Sequence, residues 1–207
     1  MGGTSNQKHS TAELDKAMKK FCKDNKITSK VQGHLSIERL RNKTGSGYPK
    51  LKAKGAATRH ALPFSLDVAK RLSDGSTHSN LVIAINTLAC RLMVLFARSS
   101  QFFTKTVLEE VQRIGEEMCV IYMLLYTEAY ENGVRMWKMT PKVHLVQELL
   151  LFECALWGNP TYYWCYADED LVGLMIEIGT SCHALTVGIS ALTKWLVLCF
   201  DDSDDED

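Results

Sequence analysis

One histidine and a small group of carboxylates have the residue types and spacing that metal chemistry needs. His144 and Glu148 are four residues apart, so on a helix their side chains project from the same face. The acidic cluster Asp168, Glu169 and Asp170 follows later in the chain. Carboxylate oxygens are the ligands that Mg²⁺ and Mn²⁺ prefer, and an imidazole can complete a mixed site. The sequence therefore predicts a candidate metal site formed by His144, Glu148, Asp168 and Asp170.

The same residues also have a purely structural interpretation. His144 would then pack or hydrogen-bond at the edge of a helical bundle. The acidic cluster would cap the next helix, because negative charge is favourable at a helix N-terminus. One histidine and one carboxylate at helical spacing form a weaker pattern than the closely spaced ligand sets of zinc sites. We expect no resident cofactor, with Mg²⁺ or Mn²⁺ as the alternative, and both interpretations stay open.

Charged residues are distributed unevenly, although 24 Lys and Arg balance 24 Asp and Glu overall. Residues 1–60 contain 14 Lys and Arg against 4 Asp and Glu, whereas residues 201–207 carry a charge of −6. A basic segment attracts nucleic-acid phosphates, and an acidic tail can compete with them or keep the protein in solution. The alternative is that both ends are simply solvated. The candidate nucleic-acid-binding residues are Lys19, Lys20, Lys23, Lys26, Lys30, Arg39, Arg41, Lys43, Lys50, Lys52 and Lys54.

Aromatic residues are concentrated in a short stretch of the second half of the chain. The stretch contains Trp157, Tyr162, Tyr163, Trp164 and Tyr166. Such rings can stack on nucleobases. More often they anchor the junction of two helices by burying large apolar surfaces, and we favour that interpretation.

Apolar residues recur at helical spacing over most of the chain, which predicts helices. Ser10 with Glu13 forms a capping box, Thr104 and Thr140–Pro141 are further helix starts, and Gly158 with Pro160 is a helix end. The expected helices cover residues 10–22, 52–61, 65–72, 80–99, 104–130, 140–157, 168–180 and 184–200, and residues 36–41 are a further candidate for a short helix. No alternating strand pattern and no internal repeat occur. The sequence predicts an all-α bundle of roughly six to eight helices.

Composition divides the chain into a basic, partly flexible segment (1–50), a helical domain (51–200) and a disordered acidic tail (201–207). The polar N-terminus lacks the apolar centre of a secretory signal. The seven cysteines are odd in number and form no C-x-x-C pair, which is typical of reduced thiols. We expect an intracellular protein, nuclear if it binds DNA. No long uncharged apolar run occurs, so we expect no membrane association.

Short motifs follow one another in a distinctive order along residues 50–178. They are Leu51–Lys54, Arg59, Leu62–Phe64, Met139–Val146, Trp157–Pro160, Tyr163–Trp164 and Glu169, with two long predicted helices between the third and the fourth. This order is similar to the C-terminal helical region of transposases from CACTA-type and related cut-and-paste DNA transposons.

The resemblance implies a role for one acidic residue. In transposases of this type an RNase-H-like core supplies two Asp from strands and a final acidic residue from a helix. The resemblance assigns that last position to Glu169 as a candidate catalytic residue. This chain departs from the family, because it has no predicted strands for the first two carboxylates and carries Asp170 where the family often has a basic residue. Two-metal phosphoryl transfer needs several converging carboxylates, so we expect the chain not to be an enzyme by itself.

Three functions are compatible with these patterns. The first is a transposon-derived helical protein associated with nucleic acid, with DNA as the expected partner. The alternative is a helical scaffold that binds other protein subunits and no nucleic acid. The second alternative is a metal-dependent, nuclease-like enzyme centred on Glu169, Asp168, Asp170 and His144.

Overall fold

The fold was obtained as a computed structural model, which describes residues 3–27, 33–40, 47–49, 51, 55–163, 176, 178–183 and 185–201. Within these ranges every regular element is a helix and no strand occurs, which confirms the predicted all-α bundle of six to eight helices. The chain forms two compact units, residues 1–162 and residues 163–207.

Seven described α-helices belong to the first unit. They are α1 (Gly3–Asp24), α2 (Ile37–Leu40), α3 (Gly55–Arg71), α4 (Thr77–Arg98), α5 (Lys105–Glu131), α6 (Pro141–Glu148) and α7 (Cys154–Trp157). Those from α3 to α7 follow one another with short connections. A π-helical segment, Leu149–Glu153, joins α6 to α7, and a 3₁₀ turn, Pro160–Tyr162, follows. The predicted helix 140–157 is thus confirmed as a nearly continuous helix with a π-helical segment in its middle. Such π segments are short interruptions of α-helices.

Two long helices begin at side-chain caps. The Ser76 hydroxyl accepts a hydrogen bond from the Ser79 amide at the start of α4. The Thr104 hydroxyl accepts one from the Val107 amide at the start of α5, at the residue that the sequence predicts. Each bond satisfies an amide that has no partner inside its helix.

The main core of the first unit lies between α4, α5 and the π segment. Its buried residues are Leu92, Leu95, Phe96, Val111, Ile114, Leu150 and Cys154. At Gly115 of α5, an added Cβ would lie 2.8 Å from the Leu150 Cβ. The absence of a side chain there lets α5 and the π segment approach closely, so both are held in one arrangement.

A second core connects the N-terminal helices to α3. It consists of the buried residues Met18, Cys22, Leu35 and Phe64, and the rings of Phe21 and Phe64 lie 5.5 Å apart. The cluster therefore joins residues on both sides of position 50. It fixes α1 on the body of the unit and determines which face of α1 is left to the solvent.

Two sequence predictions about helix ends are wrong. Ser10 lies inside α1, which begins at Gly3, so the capping box is not a helix start. The predicted break near Pro63 is also absent, because α3 runs without interruption through that proline. Proline in a helix interior costs about 3 kcal/mol. Burial of Ala57 and Phe64, on either side of Pro63, offsets this local cost.

Helix α4 is the one helix in the described ranges that is long and apolar enough to cross a membrane. Its residues Leu92, Leu95 and Phe96 lie in the main core, and the helix packs against both α3 and α5. Core helices of soluble proteins share this length and composition, so these properties alone assign no membrane role.

The second unit ends in helix α8 (Val187–Asp201), close to the predicted helix 184–200. Ahead of it, Ile178 is buried and Ser181 begins a turn. The Lys194 ammonium of α8 donates a hydrogen bond of 2.9 Å to the Ser181 hydroxyl, which ties this turn to the helix. Residues 202–207 of the predicted acidic tail lie outside the described residues.

Candidate nucleic-acid interface

Helix α1 carries an exposed basic stripe, formed by Lys16, Lys19, Lys20 and Lys23. These residues are three or four positions apart, so their side chains lie along one side of the helix. The opposite side carries the buried residues Met18 and Cys22. Packing of that apolar side on the second core directs the lysines into the solvent.

Asp15 connects α1 to the segment before α2. Its carboxylate accepts hydrogen bonds from the Leu35 amide at 2.9 Å and from the Lys19 ammonium at 2.7 Å, and it lies 2.9 Å from Nδ1 of His34. Burial raises the pKa of this carboxyl. The hydrogen bonds from Lys19, Leu35 and His34 outweigh burial, so the net pKa lies well below its usual range. Asp15 therefore stays ionised near neutral pH.

The four lysines of the basic stripe differ in their freedom to bind an anion. Lys19 is held by Asp15, whereas Lys16, Lys20 and Lys23 form no ion pair within the described part of the chain. Lys16 was missed by the sequence prediction, although its spacing from Lys19 and Lys20 was a sufficient signal. Lys16, Lys20 and Lys23 are therefore the stripe lysines that no carboxylate holds within the described residues.

Lys26 lies just beyond the end of α1, in a Schellman motif. Its φ of 53° is left-handed, its amide donates to the Lys23 carbonyl, and the Ile27 amide donates to the Cys22 carbonyl. Lys26 is exposed. Arg39 belongs to α2. The other predicted contacts, Lys30, Arg41, Lys43, Lys50, Lys52 and Lys54, lie outside the described residues.

The predicted metal ligands are only partly within the described residues. His144 and Glu148 both lie on α6 and both are exposed, as their spacing indicates. Across the described ranges, no group of three or more His, Cys, Asp and Glu side chains could hold a metal ion. Asp168, Asp170 and the candidate catalytic Glu169 lie outside those ranges, so the metal site stays a prediction.

His144 lines an apolar groove of about 670 Å³ between α5 and α6, which we call the α5–α6 groove. Its lining residues are Cys119, Val120, Met123, Leu124, Met139, Thr140, Pro141, Val143, His144 and Gln147. Burial raises the pKa of the Cys119 thiol, so the group is protonated near neutral pH. The surroundings of His144 suit an apolar occupant.

A second cavity, of about 950 Å³, lies where the α5–α6 connection meets residues 47–49, and we call it the aromatic cavity. Its lining residues are Gly47, Tyr48, Pro49, Tyr122, Met136, Trp137, Lys138, Thr140, Pro141 and Lys142. Among the described lining residues there are three aromatic rings and two lysines but no carboxylate. This composition suits a ligand with an aromatic ring and negative charge.

Tyr122 of α5 contacts two other residues that line the aromatic cavity, Trp137 and Lys138. Its hydroxyl donates a hydrogen bond of 2.7 Å to the Lys138 carbonyl. Its ring meets the ring of Trp137 edge-on, with centroids 5.7 Å apart and planes at 88°. Burial also raises the pKa of the Tyr122 hydroxyl, so it remains a donor. Tyr122 thus positions both Trp137 and Lys138.

Trp137 combines an unfavourable backbone conformation with an unsatisfied buried donor. Its φ of 53° is in the left-handed region, where a residue with a side chain is strained by about 1–2 kcal/mol. Its indole N–H is buried and has no hydrogen-bond acceptor within the described structure. An unsatisfied buried donor costs about 1–3 kcal/mol. Two unfavourable features at one wall residue are typical of functional sites.

The cations of the aromatic cavity lie close to its rings. The Lys138 ammonium is 5.7 Å from the centroid of the Tyr48 ring, a cation–π distance. Lys142 is exposed in the first turn of α6, whose N-terminus carries partial positive charge. One ammonium group thus lies on an aromatic ring, and a second lysine lines the same cavity.

The aromatic stretch after α7 is not buried in the way that the sequence predicted. Trp157 is 62% exposed and Tyr162 is 58% exposed, while Trp164 and Tyr166 lie outside the described residues. Gly158, Asn159 and Pro160 are the buried residues of this junction. Among the described residues, backbone and amide contacts close this junction, and the rings of Trp157 and Tyr162 stay largely exposed.

Sequence reasoning missed the aromatic cavity, because its residues come from three separate segments. The positive φ of Trp137 leaves no trace in residue type, and Tyr48 has no aromatic neighbours in sequence. Comparison of this chain with protein-family models, curated proteins and solved structures gives no match.

Proposed function

We propose that this protein is a helical nucleic-acid-associated protein of transposon origin that is not catalytic by itself. The transposon origin rests on the order of motifs between residues 50 and 178. The association with nucleic acid, with DNA as the first candidate, rests on the basic N-terminal segment and on the arrangement of its lysines. A nuclear location would follow from DNA binding.

The observation that carries the proposal is the placement of Lys16, Lys20 and Lys23. They lie on the solvent side of a helix that is fixed to the protein body by its other side. A phosphate chain running along α1 can contact all three without any rearrangement of the core. Neutralising a few phosphates releases condensed counterions, which drives sequence-independent binding. We therefore expect binding with little sequence preference.

A second candidate function is a protein-interaction scaffold. It is favoured by the α5–α6 groove, where Val120, Met123 and Leu124 are about half exposed or more. Exposed apolar patches on folded proteins often mark interaction surfaces. In that case the basic stripe would have no nucleic-acid partner, and removal of its charge would leave complex formation intact.

The test uses the full chain and a 20-base-pair DNA duplex of arbitrary sequence. The variant Lys16→Gln/Lys20→Gln/Lys23→Gln removes the unpaired charges of the stripe. The matched control Lys70→Gln/Arg98→Gln/Lys105→Gln removes the same charge from exposed positions on α3, α4 and α5. We expect the stripe variant to reduce the slope of log K against log salt by about 2.7, or 0.9 per contact. The control should leave the slope nearly unchanged.

Equal effects of the two variants would indicate general charge attraction and would contradict a binding surface on α1. Absence of any duplex binding at 50 mM salt would reject duplex DNA as the ligand of the α1 lysines and would favour the scaffold function for this part of the protein. The free energy of unfolding of both variants is measured in urea. Values equal to that of the unmodified protein would show that a loss of DNA binding does not come from a loss of folding.

A further inference from the structure

We propose that the aromatic cavity binds an unpaired nucleotide of a single-stranded nucleic acid, with its base against Tyr48 and Trp137 and its phosphate near Lys138 and Lys142. The inference rests on the proposed function, since it names the form of nucleic acid that a second surface of this protein recognises. Four features of the cavity lead to it.

The first feature is the size of the cavity. Its volume of about 950 Å³ is at the upper end of the usual range for small-ligand sites, about 300–1,000 Å³. A base with its sugar and phosphate fits within it. A double helix does not, because its bases are stacked inside the duplex and cannot present a face to a cavity wall.

The second feature is the availability of ring faces. The Tyr48 ring is 39% exposed, with the Lys138 ammonium on one of its two faces, so the other face is left for a base. The rings of Tyr122 and Trp137 meet at 88° and not in a parallel stack. Stacking of a base on an aromatic side chain contributes about 1–3 kcal/mol and depends little on the identity of the base. The cavity therefore suits a nucleobase without strong sequence preference.

The third feature is the charge of the lining. Among the described lining residues, Lys138 and Lys142 are the two that carry a permanent charge. Neither forms an ion pair within the described part of the chain. A neutral apolar ligand would leave both ammonium groups without a partner. A phosphodiester provides one, and Arg or Lys next to an aromatic ring is typical of single-strand binding.

The fourth feature is the indole N–H of Trp137, a buried donor without an acceptor. Base carbonyls, ring nitrogens and phosphate oxygens are all acceptors. Because the N–H is out of contact with solvent in the free protein, it can gain an acceptor from a ligand only if the Trp137 side chain shifts on binding, and such a shift would remove that local cost. Tyr122 contributes as a positioning residue, because it orients Trp137 and Lys138.

The first experiment compares binding of a thymidine 12-mer with binding of a 12-base-pair duplex, by fluorescence anisotropy on the full chain. The variant Tyr48→Leu removes the aromatic face while retaining apolar volume. Its control, Tyr130→Leu, replaces an exposed tyrosine near the end of α5. We expect Tyr48→Leu to weaken single-strand binding about 5- to 100-fold and to leave duplex binding unchanged. The control should change neither.

A second experiment observes the indole N–H directly by ¹H–¹⁵N NMR. The variant Trp137→Phe identifies the Trp137 indole resonance by its disappearance. We expect that resonance to shift when the thymidine 12-mer is added and to stay in place when polyglutamate, which has charge but no bases, is added. A shift produced equally by polyglutamate would overturn the inference, because charge alone would then explain it.

The outcomes separate the two proposals. Equal single-strand affinities for Tyr48→Leu and Tyr130→Leu, with duplex binding still dependent on the α1 lysines, would overturn the nucleotide site and leave the proposed function intact. Failure to bind either nucleic acid would reject both. Single-strand binding that requires Tyr48 and persists without the α1 lysines supports the cavity as an independent site.

Discussion

The side-chain amide of Asn159 donates a hydrogen bond of 2.8 Å to the backbone carbonyl of Phe96, at the end of α4. The same amide lies 3.1 Å from the Ser99 carbonyl and 3.4 Å from the Ser100 carbonyl. Its oxygen accepts hydrogen bonds from the amide and the hydroxyl of Thr161. Because Asn159 is fully buried, these bonds satisfy polar groups at the end of α4 and in the turn after α7 without the help of water.

The variant Asn159→Asp tests this contact, since it preserves shape but replaces the donor group with an acceptor. A carboxylate facing backbone carbonyls in a buried site has no compensating partner. We expect the free energy of unfolding at pH 7 to fall by at least about 3 kcal/mol, measured in urea. The control Asn80→Asp changes an exposed position and should alter it by less than about 0.5 kcal/mol. Similar losses in both variants would contradict the role of Asn159.

Gly158 has a backbone conformation that only glycine adopts easily, with φ 80° and ψ −143°. A Cβ at this position would lie 2.1 Å from the Gln101 carbonyl oxygen, which accepts a hydrogen bond from the backbone amide of Asn159. We expect Gly158→Ala to lower the free energy of unfolding by about 3 kcal/mol or more.

Gly133 is the matched position for that experiment. It also has a positive φ, 63°, but a Cβ there would meet no atom within 4 Å. We expect Gly133→Ala to cost only about 1 kcal/mol, the cost of the left-handed backbone alone. A Gly158→Ala protein that is as stable as Gly133→Ala would show that the contact with Gln101 is not tight.

Asp15 makes stability depend on pH in the acid range. Its pKa is lower in the folded protein than in the unfolded chain, where a carboxyl titrates near about 3.9. The unfolded chain therefore binds more protons, and stability rises with pH in this window. The stabilisation is present above about pH 4 and is lost as the pH falls toward the folded pKa.

We expect Asp15→Asn to lower the free energy of unfolding at pH 7 by about 1–3 kcal/mol, with a smaller loss at pH 2. The measurement is urea unfolding between pH 2 and pH 7. Asp24→Asn removes the same charge at an exposed position at the end of α1 and serves as the control; at pH 7 it should change the free energy of unfolding by less than about 0.5 kcal/mol. A constant loss across this pH range would rule out titration of Asp15 as the cause.

Cys154 is expected to be chemically inert in the folded protein. Burial, and next the nearby Glu153 charge, raise the pKa of its thiol to about 12. The thiolate is the reactive form, so its fraction at pH 8 falls by roughly a thousandfold relative to an unperturbed cysteine of pKa about 8.5. We expect iodoacetamide labelling of Cys154, followed by peptide mass spectrometry, to be slow until urea unfolds the protein. Rapid labelling of the folded chain would show that the main core opens.

The sequence by itself determined most of the helices and several of their ends. Thr104, Thr140–Pro141 and Gly158 act through bonds between residues three to five positions apart, so the local pattern contained the necessary information. His144 and Glu148 are four positions apart, so their common face on α6 also follows from the local sequence. Where tertiary packing outweighs a local preference, as at Pro63 and Ser10, the local pattern led to wrong helix ends.

The tertiary structure alone decided which polar and aromatic groups meet. Asn159 is buried because two helix ends converge on it. Tyr48 shares a cavity with Tyr122 and Trp137 although α3 and α4 separate it from them in sequence. The basic stripe depends on both the sequence and the tertiary structure. Lysine spacing predicts one charged side of α1, but only packing on the second core decides that this side faces the solvent. A helix is stabilised by near neighbours in sequence, whereas a cavity or a buried amide depends on packing between distant segments, which no local pattern records.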